Sequence, residues 1–184
     1  GTYGSVVAAT AKLTGAVDGK NVPVTLTYTG NGYNDTAVPV NAGSYTVTAS
    51  IANSNYTLTG KTTADFVITP KAVTVTGITA NDKVYDGTTD AVLDYSKVVL
   101  DGVLENDTLT VTAKGVFEKA DIGKQKVTIS DLTLGGASAA NYVLAESGNQ
   151  TETTANITAK QITVTITPNG GTYGSVIAAA ANLS

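Results

Sequence analysis

The sequence predicts an all-β chain of tandem Ig-like β-sandwich domains, and three observations carry that expectation. Thr, 32 of the 184 residues, sits in runs that alternate apolar and polar side chains, as strands do when one face meets a core. Clusters of Gly, Asn and Asp interrupt these runs, where tight turns need positive φ. A sequence repeat joins the two ends of the chain. Many short strands separated by turns suit a sandwich. The alternative is a β-grasp-like domain with a short helix, and a helix at residues 5–13 would decide for it.

The first element is that stretch at residues 5–13. As a strand it places Val7, Ala9, Ala11 and Leu13 on one face. Next comes VPVTLTYTG, in which Val22, Val24, Leu26 and Tyr28 face one way and Pro23, Thr25, Thr27 and Thr29 the other. TGNGYND then breaks the pattern. GSYTVTASI points Tyr45, Val47, Ala49 and Ile51 inward, and KAVTVTGI, DTLTVTAK, KQKVTISDL and KQITVTITP continue the alternation. ANDKVYDG, LENDT and ESGNQ supply the later turns. None of the runs has a helical period.

The repeat organises these elements. GTYGSVVAATAKLT at 1–14 returns as GTYGSVIAAAANLS at 171–184, an offset of 170, with ten of fourteen positions identical. On the strand reading, the buried face changes only from Val7 to Ile177. The changes to Ala180, Asn182 and Ser184 all fall on the other face. The chain therefore spans slightly more than one period of a tandem array. A weaker similarity halves the period. In each half a Thr-rich strand leads to Tyr-Gly or Tyr-Asp-Gly, then to a strand opened by Gly43 or Gly123, then to Asn-Tyr and a closing strand. This gives a domain at 1–70 lacking its first strand, a domain at 71–160, and the start of the next repeat at 161–184, with no flexible linker near residue 70. The orphan strand near Ile162–Thr167 is expected to complete the first domain of another copy, head to tail. A fragment boundary set by proteolysis or cloning is the alternative.

Missing residue types exclude much chemistry. There is no His, Cys, Met or Trp, and all 11 basic residues are Lys. An imidazole base, a thiolate nucleophile, a disulfide and a zinc site of N/S ligands are therefore ruled out. With no Arg and a net charge of −4, nucleic acid is not the expected partner. No apolar run reaches the roughly 18 residues of a membrane span, so no membrane insertion is expected. No cofactor is expected either. An enzyme would need a cleft of paired carboxylates, the only acid/base groups left near neutral pH, and none is expected.

Several motifs together have a family look. KVYDGTT at 83–89, GVLENDTLTV at 102–111, DIGKQKVTI at 121–129 and AANYVL at 139–144 strongly resemble the YDG domain of bacterial surface adhesins. TYGSV at 2–6, NAGSYTVTA at 41–49 and NSNYTLTG at 53–60 resemble the related MBG domain with its Tyr-Gly-X motif. The resemblance covers essentially the whole chain. It implies a long, repetitive, extracellular bacterial protein, on the cell surface or secreted, in which such domains alternate as stalk or filament segments. Neighbouring repeats would be the partners, with head-to-tail self-association and a host or cell-surface glycan as further ones. No ligand pocket comes with the resemblance, so it assigns no binding residues.

Candidate sites follow from the motifs. Tyr85, Asp86 and Gly87 suggest a ligand or catalytic carboxylate at Asp86, or a turn in which Tyr85 packs over the sandwich end, Asp86 bonds backbone and Gly87 takes an unusual φ. Tyr3-Gly4 and Tyr173-Gly174 have no carboxylate after the Tyr, which favours the turn. Asn55-Tyr56 and Asn141-Tyr142 form the second shared motif. Asp82, Asp86, Asp90 and Asp94 recur every fourth residue, and Asp101, Glu105 and Asp107 form another acidic group. Neither has the spacing of a calcium loop, so a solvated acidic surface is expected. Residues 71–160 carry eight Lys and twelve acidic residues, whereas 1–70 carry three of each and are net neutral. On that Thr-coated domain, Tyr33 with Asn31 and Asn34 would contact a sugar ring if all three shared a face; otherwise Tyr33 packs on its own strand. Lys71, Lys83 or Lys160 with Asn141 would be the partners of a Lys–Asn cross-link, for which no diagnostic motif is present.

Overall fold

The computed structural model describes residues 1–17, 21–166, 170 and 172–174. Alternation builds its first sheet. Strands β1 (Val24–Gly30), β2 (Tyr33–Asp35), β3 (Gly43–Ile51) and β4 (Thr63–Ile68) pair antiparallel in the order β2-β1-β3-β4. Asn31 and Gly32, with φ of 49° and 73°, close the β1–β2 hairpin as its two loop residues, the left-handed pair that matches strand twist. Tyr45 and Val47 are buried and Ala49 and Ile51 half-buried, so β3 presents the inward set that its alternation predicts. Aromatic rings fill this face. Phe66 stacks on Tyr45 at 5.5 Å between centroids and meets Tyr28 edge-on at 6.0 Å.

Residues 5–13 form neither the expected strand nor the helix of the β-grasp alternative. Val6, Val7 and Thr10 are β-branched and disfavour a helix. A strand needs a ladder partner, and this stretch has none. It instead crosses the sheet face: Ala9, Thr10 and Ala11 line one groove with Leu26, Val47 and Ala49. Only its start is tied to the sheet system. Thr2 makes a parallel bridge to Thr69, and the Tyr3 N–H donates to the Thr69 carbonyl at 2.8 Å.

Two residues, Thr69 and Pro70, separate β4 from β5 (Lys71–Thr76). The strands that follow are β6 (Thr79–Ala80), β7 (Lys83–Val84), β8 (Asp90–Ala91), β9 (Leu93–Asp94), β10 (Val99–Asp101), β11 (Thr110–Phe117), β12 (Gly123–Gly135), β13 (Tyr142–Leu144) and β14 (Glu152–Thr158). They form sheets of order β10-β5-β13, β7-β14-β12-β11-β8 and β6-β9. A 3₁₀ turn at Ala139–Asn141 precedes β13. Phe117, Val127, Ala155 and Ile157 make one core cluster and Val75, Ile78 and Ile129 another, with Leu93 packed against both. The fold is all β and sandwich-like.

Polar side chains complete the ladders where strands become irregular. The β11–β12 register slips between Thr112 and Lys114, and the Tyr95 hydroxyl accepts from the Ala113 N–H at 2.9 Å and donates to its carbonyl at 3.1 Å. Gln150 does the same for Ile78, accepting from its N–H at 2.8 Å and donating to its carbonyl at 2.7 Å. Asn149 accepts from the Val75 N–H at 3.0 Å. Buried backbone groups thus stay paired beyond the regular strands.

The run KQITVTITP at 160–168, expected as a strand, has no ladder over its described residues 160–166, and Ile162, Val164 and Ile166 are 79%, 71% and 78% exposed. Their sequence counterpart β5 is held between β10 and β13; among the described residues nothing flanks 159–166 in that way. The second copy of the repeat, including Ile177, falls outside the described residues except at 172–174, where Tyr173 is exposed.

Candidate functional site

The bridge to Thr69 brings Tyr3 against a part of the chain more than 100 residues away. Its hydroxyl donates to Asp107 at 3.0 and 3.2 Å, and its ring meets Tyr142 edge-on at 5.4 Å. The Tyr142 hydroxyl also donates to Asp107 and accepts from the Leu104 N–H at 2.9 Å. Ser138 completes the set, its hydroxyl donating to Asp107 at 2.9 Å. Beside it, the Asn141 side chain accepts from the Ala42 N–H at 2.8 Å and donates to the side-chain oxygen Oδ1 of Asn41 at 3.1 Å. Gly4 lets the chain turn away: its φ is +82°, and a Cβ there would lie 2.5 Å from a Leu104 methyl. Any other residue would meet both strain and a clash.

Electrostatics favours one protonation state at this junction. The Tyr142 hydrogen bond, followed by those from Ser138 and Tyr3, holds the Asp107 carboxyl below its ordinary range. Burial first, and then the Asp107 hydrogen bond, pushes Tyr3 and Tyr142 up. A carboxylate that accepts from three hydroxyls is occupied in holding the chain, and the arrangement acts as a clasp rather than as a base. Asp107 was expected in a solvated acidic surface. The structure corrects this: it is half-buried at the junction.

Tyr85-Asp86-Gly87 occupies the matching place in the second half. The Tyr85 N–H donates to the Thr158 carbonyl at 2.8 Å, as Tyr3 does to Thr69. Asp86 accepts from the Thr88 N–H and from Lys83 Nζ, both at 2.8 Å, and Gly87 takes φ +79°. Lys83 also donates to the carbonyls of Thr88 and Asp90 at 2.8 and 3.1 Å and sits 5.5 Å from the Phe117 ring centre. Its hydrogen bond, ahead of those from Thr88, lowers the Asp86 carboxyl to about 2. The motif is a turn with its carboxylate and ammonium both spoken for. Tyr85 itself is 42% exposed, beside Asp121, Ile122, Ala159, Lys160 and Ile162.

The remaining motif residues lie apart. Asn55-Tyr56 sits in a turn where the Asn55 N–H donates to Asn53 at 3.0 Å and the Tyr56 hydroxyl accepts from Val17 at 3.4 Å. Tyr33, Asn31 and Asn34 do not gather on one face. The Tyr33 ring meets Tyr45 at 6.2 Å and its hydroxyl donates to the Ala37 carbonyl at 2.9 Å, Asn31 donates to the Ala42 carbonyl at 3.2 Å, and Asn34 alternates with Tyr33 along β2. The acidic residues serve different local donors, Asp82 at Asn156 and Asp94 at Ser96. Among the described residues no three metal-binding side chains converge.

The sequence flagged Tyr3, Asn141 and Tyr142 but not their meeting; it placed Asp107 on a solvated surface and left Ser138 and Asn41 unassigned. The one available signal was the return of Tyr3 as Tyr173 inside an almost unchanged stretch. Comparison with known proteins found no match among curated proteins and none among solved structures. Against protein families, residues 3–72 match the MBG domain and residues 69–152 the YDG domain. Domains of these families occur in surface-associated repeat proteins, and neither is known as an enzymatic family. The clasp thus joins Tyr3, Asn41 and Ala42 of the first match to Asp107 and Asn141 of the second, and the chain contains an MBG domain followed directly by a YDG domain, their matches overlapping at residues 69–72.

Proposed function

We propose that the chain is a structural segment of an extracellular bacterial adhesin, a stalk or filament repeat that holds a distal binding region away from the cell. In this reading it divides near residue 70 into two domains, performs no catalysis, and works by keeping a fixed angle between neighbours. The clasp carries the proposal. A connection of two residues, Thr69 and Pro70, already limits rotation. Hydrogen bonds from Tyr3 to Asp107 and between Asn141 and Asn41–Ala42 oppose what rotation is left. Interfaces between domains of one chain allow relative motion unless specific contacts prevent it. Copies would also associate head to tail.

Small-angle scattering tests the fixed angle. The intact chain is expected to scatter as one rigid body. Tyr3→Ala/Asn141→Ala should keep its strand content by circular dichroism while its scattering shows a flexible pair and a broader range of dimensions. Equal flexibility in both proteins would remove the stalk reading.

A further inference from the structure

The chain contains one strand sequence twice and one corner sequence twice, and the structure pairs a single set. KAVTV at 71–75 runs parallel to the corner NYVL at 141–144, with Lys71 opposite Tyr142, Ala72 opposite Val143 and Val73 opposite Leu144. The strand sequence returns as KQITV at 160–164 and the corner as NYTL at 55–58. Neither of these second occurrences lies in a ladder. The difference in burial is large. Val73 and Val75 are 1% and 0% exposed, whereas their counterparts Ile162 and Val164 are 79% and 71% exposed. Residues with the pattern of a buried strand thus stand outside any sheet. Val22, Ile51, Tyr56 and Leu58 are the apolar part of a mostly polar groove of about 210 Å³ beside the unpaired corner, which Lys12–Ala16 also line.

We propose that Lys160–Val164 of one copy adds as a parallel strand to Tyr56–Leu58 of a second copy. The β5–β13 pair supplies the register: Tyr56 opposite Lys160, Thr57 opposite Gln161 and Leu58 opposite Ile162. Strand period then turns Leu58 and Ile162 toward the groove. Thr57 and Gln161 stay outside, as Val143 and Ala72 do.

A second observation fits the same docking. Tyr85 and Ile122 hold the positions that Tyr3 and Ala42 hold in the first domain: the two Tyr N–H groups donate the matching backbone bonds, and Ala42 and Ile122 each precede the Gly that opens the matching strand. Tyr3 and Ala42 meet Asn141 across the clasp region, while Tyr85 and Ile122 are 42% and 60% exposed beside Ile162. They would face Asn55 of the second copy. The contact joins different surfaces of successive copies, so it propagates instead of closing. It deepens the head-to-tail part of the proposed function and does not depend on the array being a stalk.

Because the chain has no Cys, cross-linking can read the register. Full-length Thr57→Cys/Gln161→Cys, treated with oxidised glutathione, is expected to give a ladder of disulfide-linked oligomers on a non-reducing gel. Thr57→Cys/Thr163→Cys places the pair about 8 Å apart between Cα atoms, beyond the reach of a disulfide, and is expected to stay monomeric. Adding Ile162→Asp to the first pair should abolish the ladder without moving the melting transition, because Ile162 is exposed in a single copy. That constancy separates lost docking from lost folding. No ladder from the first pair, a disulfide within one chain, equal ladders from both pairs, or a ladder untouched by Ile162→Asp would each overturn the proposal. Scattering of the Tyr3→Ala/Asn141→Ala variant concerns only the clasp, so the two readings fail separately.

Discussion

Tyr95 shows how a single hydroxyl can replace a strand. At the slip in β11 it serves both backbone groups of Ala113. Tyr95→Phe leaves that N–H and carbonyl without their partner at a cost of about 1–3 kcal/mol, measurable as a lower midpoint in urea unfolding. Gln150 and Asn149 play a similar part at Ile78 and Val75. None of this was legible in the sequence, where Asn149 and Gln150 read only as part of a turn segment and Tyr95 drew no reading. Their partners lie 18 to 74 residues away, and such distances leave no local pattern. Tyr45 and Val47 were legible because alternation is local and one buried face is enough to set it.

At the scale of elements, the same contrast separates β3 from residues 5–13. The β3 alternation coincides with a ladder on both sides, and the strand forms over the predicted span. Residues 5–13 alternate as well but pair with no strand, and Ala9, Thr10 and Ala11 lie in a groove with Leu26, Val47 and Ala49 without joining the sheet. The loop after β7 carries its own electrostatic prediction. Asp86 has a folded pKa lowered to about 2 by Lys83 and Thr88. A depressed carboxylate stabilises the fold above its unfolded value of about 4, and that contribution is lost as pH falls through about 2. The protection of the Thr88 amide from hydrogen exchange, relative to an unfolded amide at the same pH, is therefore expected to hold at pH 4 and to fall toward pH 2. Asp86→Asn should already exchange faster at pH 4. Phe117 closes the same region from below, 1% exposed and facing Lys83. Phe117→Ala is expected to cost about 3–5 kcal/mol through the cavity it leaves, read by thermal or urea unfolding.

At the scale of the whole molecule, the titration of the clasp defines where the proposed fixed angle holds. Asp107 is depressed, so its contribution is present above about pH 4 and fades as the pH falls below that. Tyr3 and Tyr142 are raised, so theirs is present below about pH 10 and fades as the pH climbs through their folded values. The rigid scattering profile is expected to persist between those limits and to give way to a flexible one on either side. The two family matches could be read from the motifs, but the clasp could not. Tyr3 and Asp107 belong to different halves, and their meeting depends on how the halves are set together. One arrangement common to both halves has a mechanical result. Thr2 runs parallel to Thr69, β5 to β13 and β7 to β14, so early and late segments lie side by side pointing the same way. When such a chain is stretched from its ends, these neighbours are drawn lengthwise past each other. Their hydrogen bonds then share the load and must break together, where a hairpin pulled open would lose them one by one.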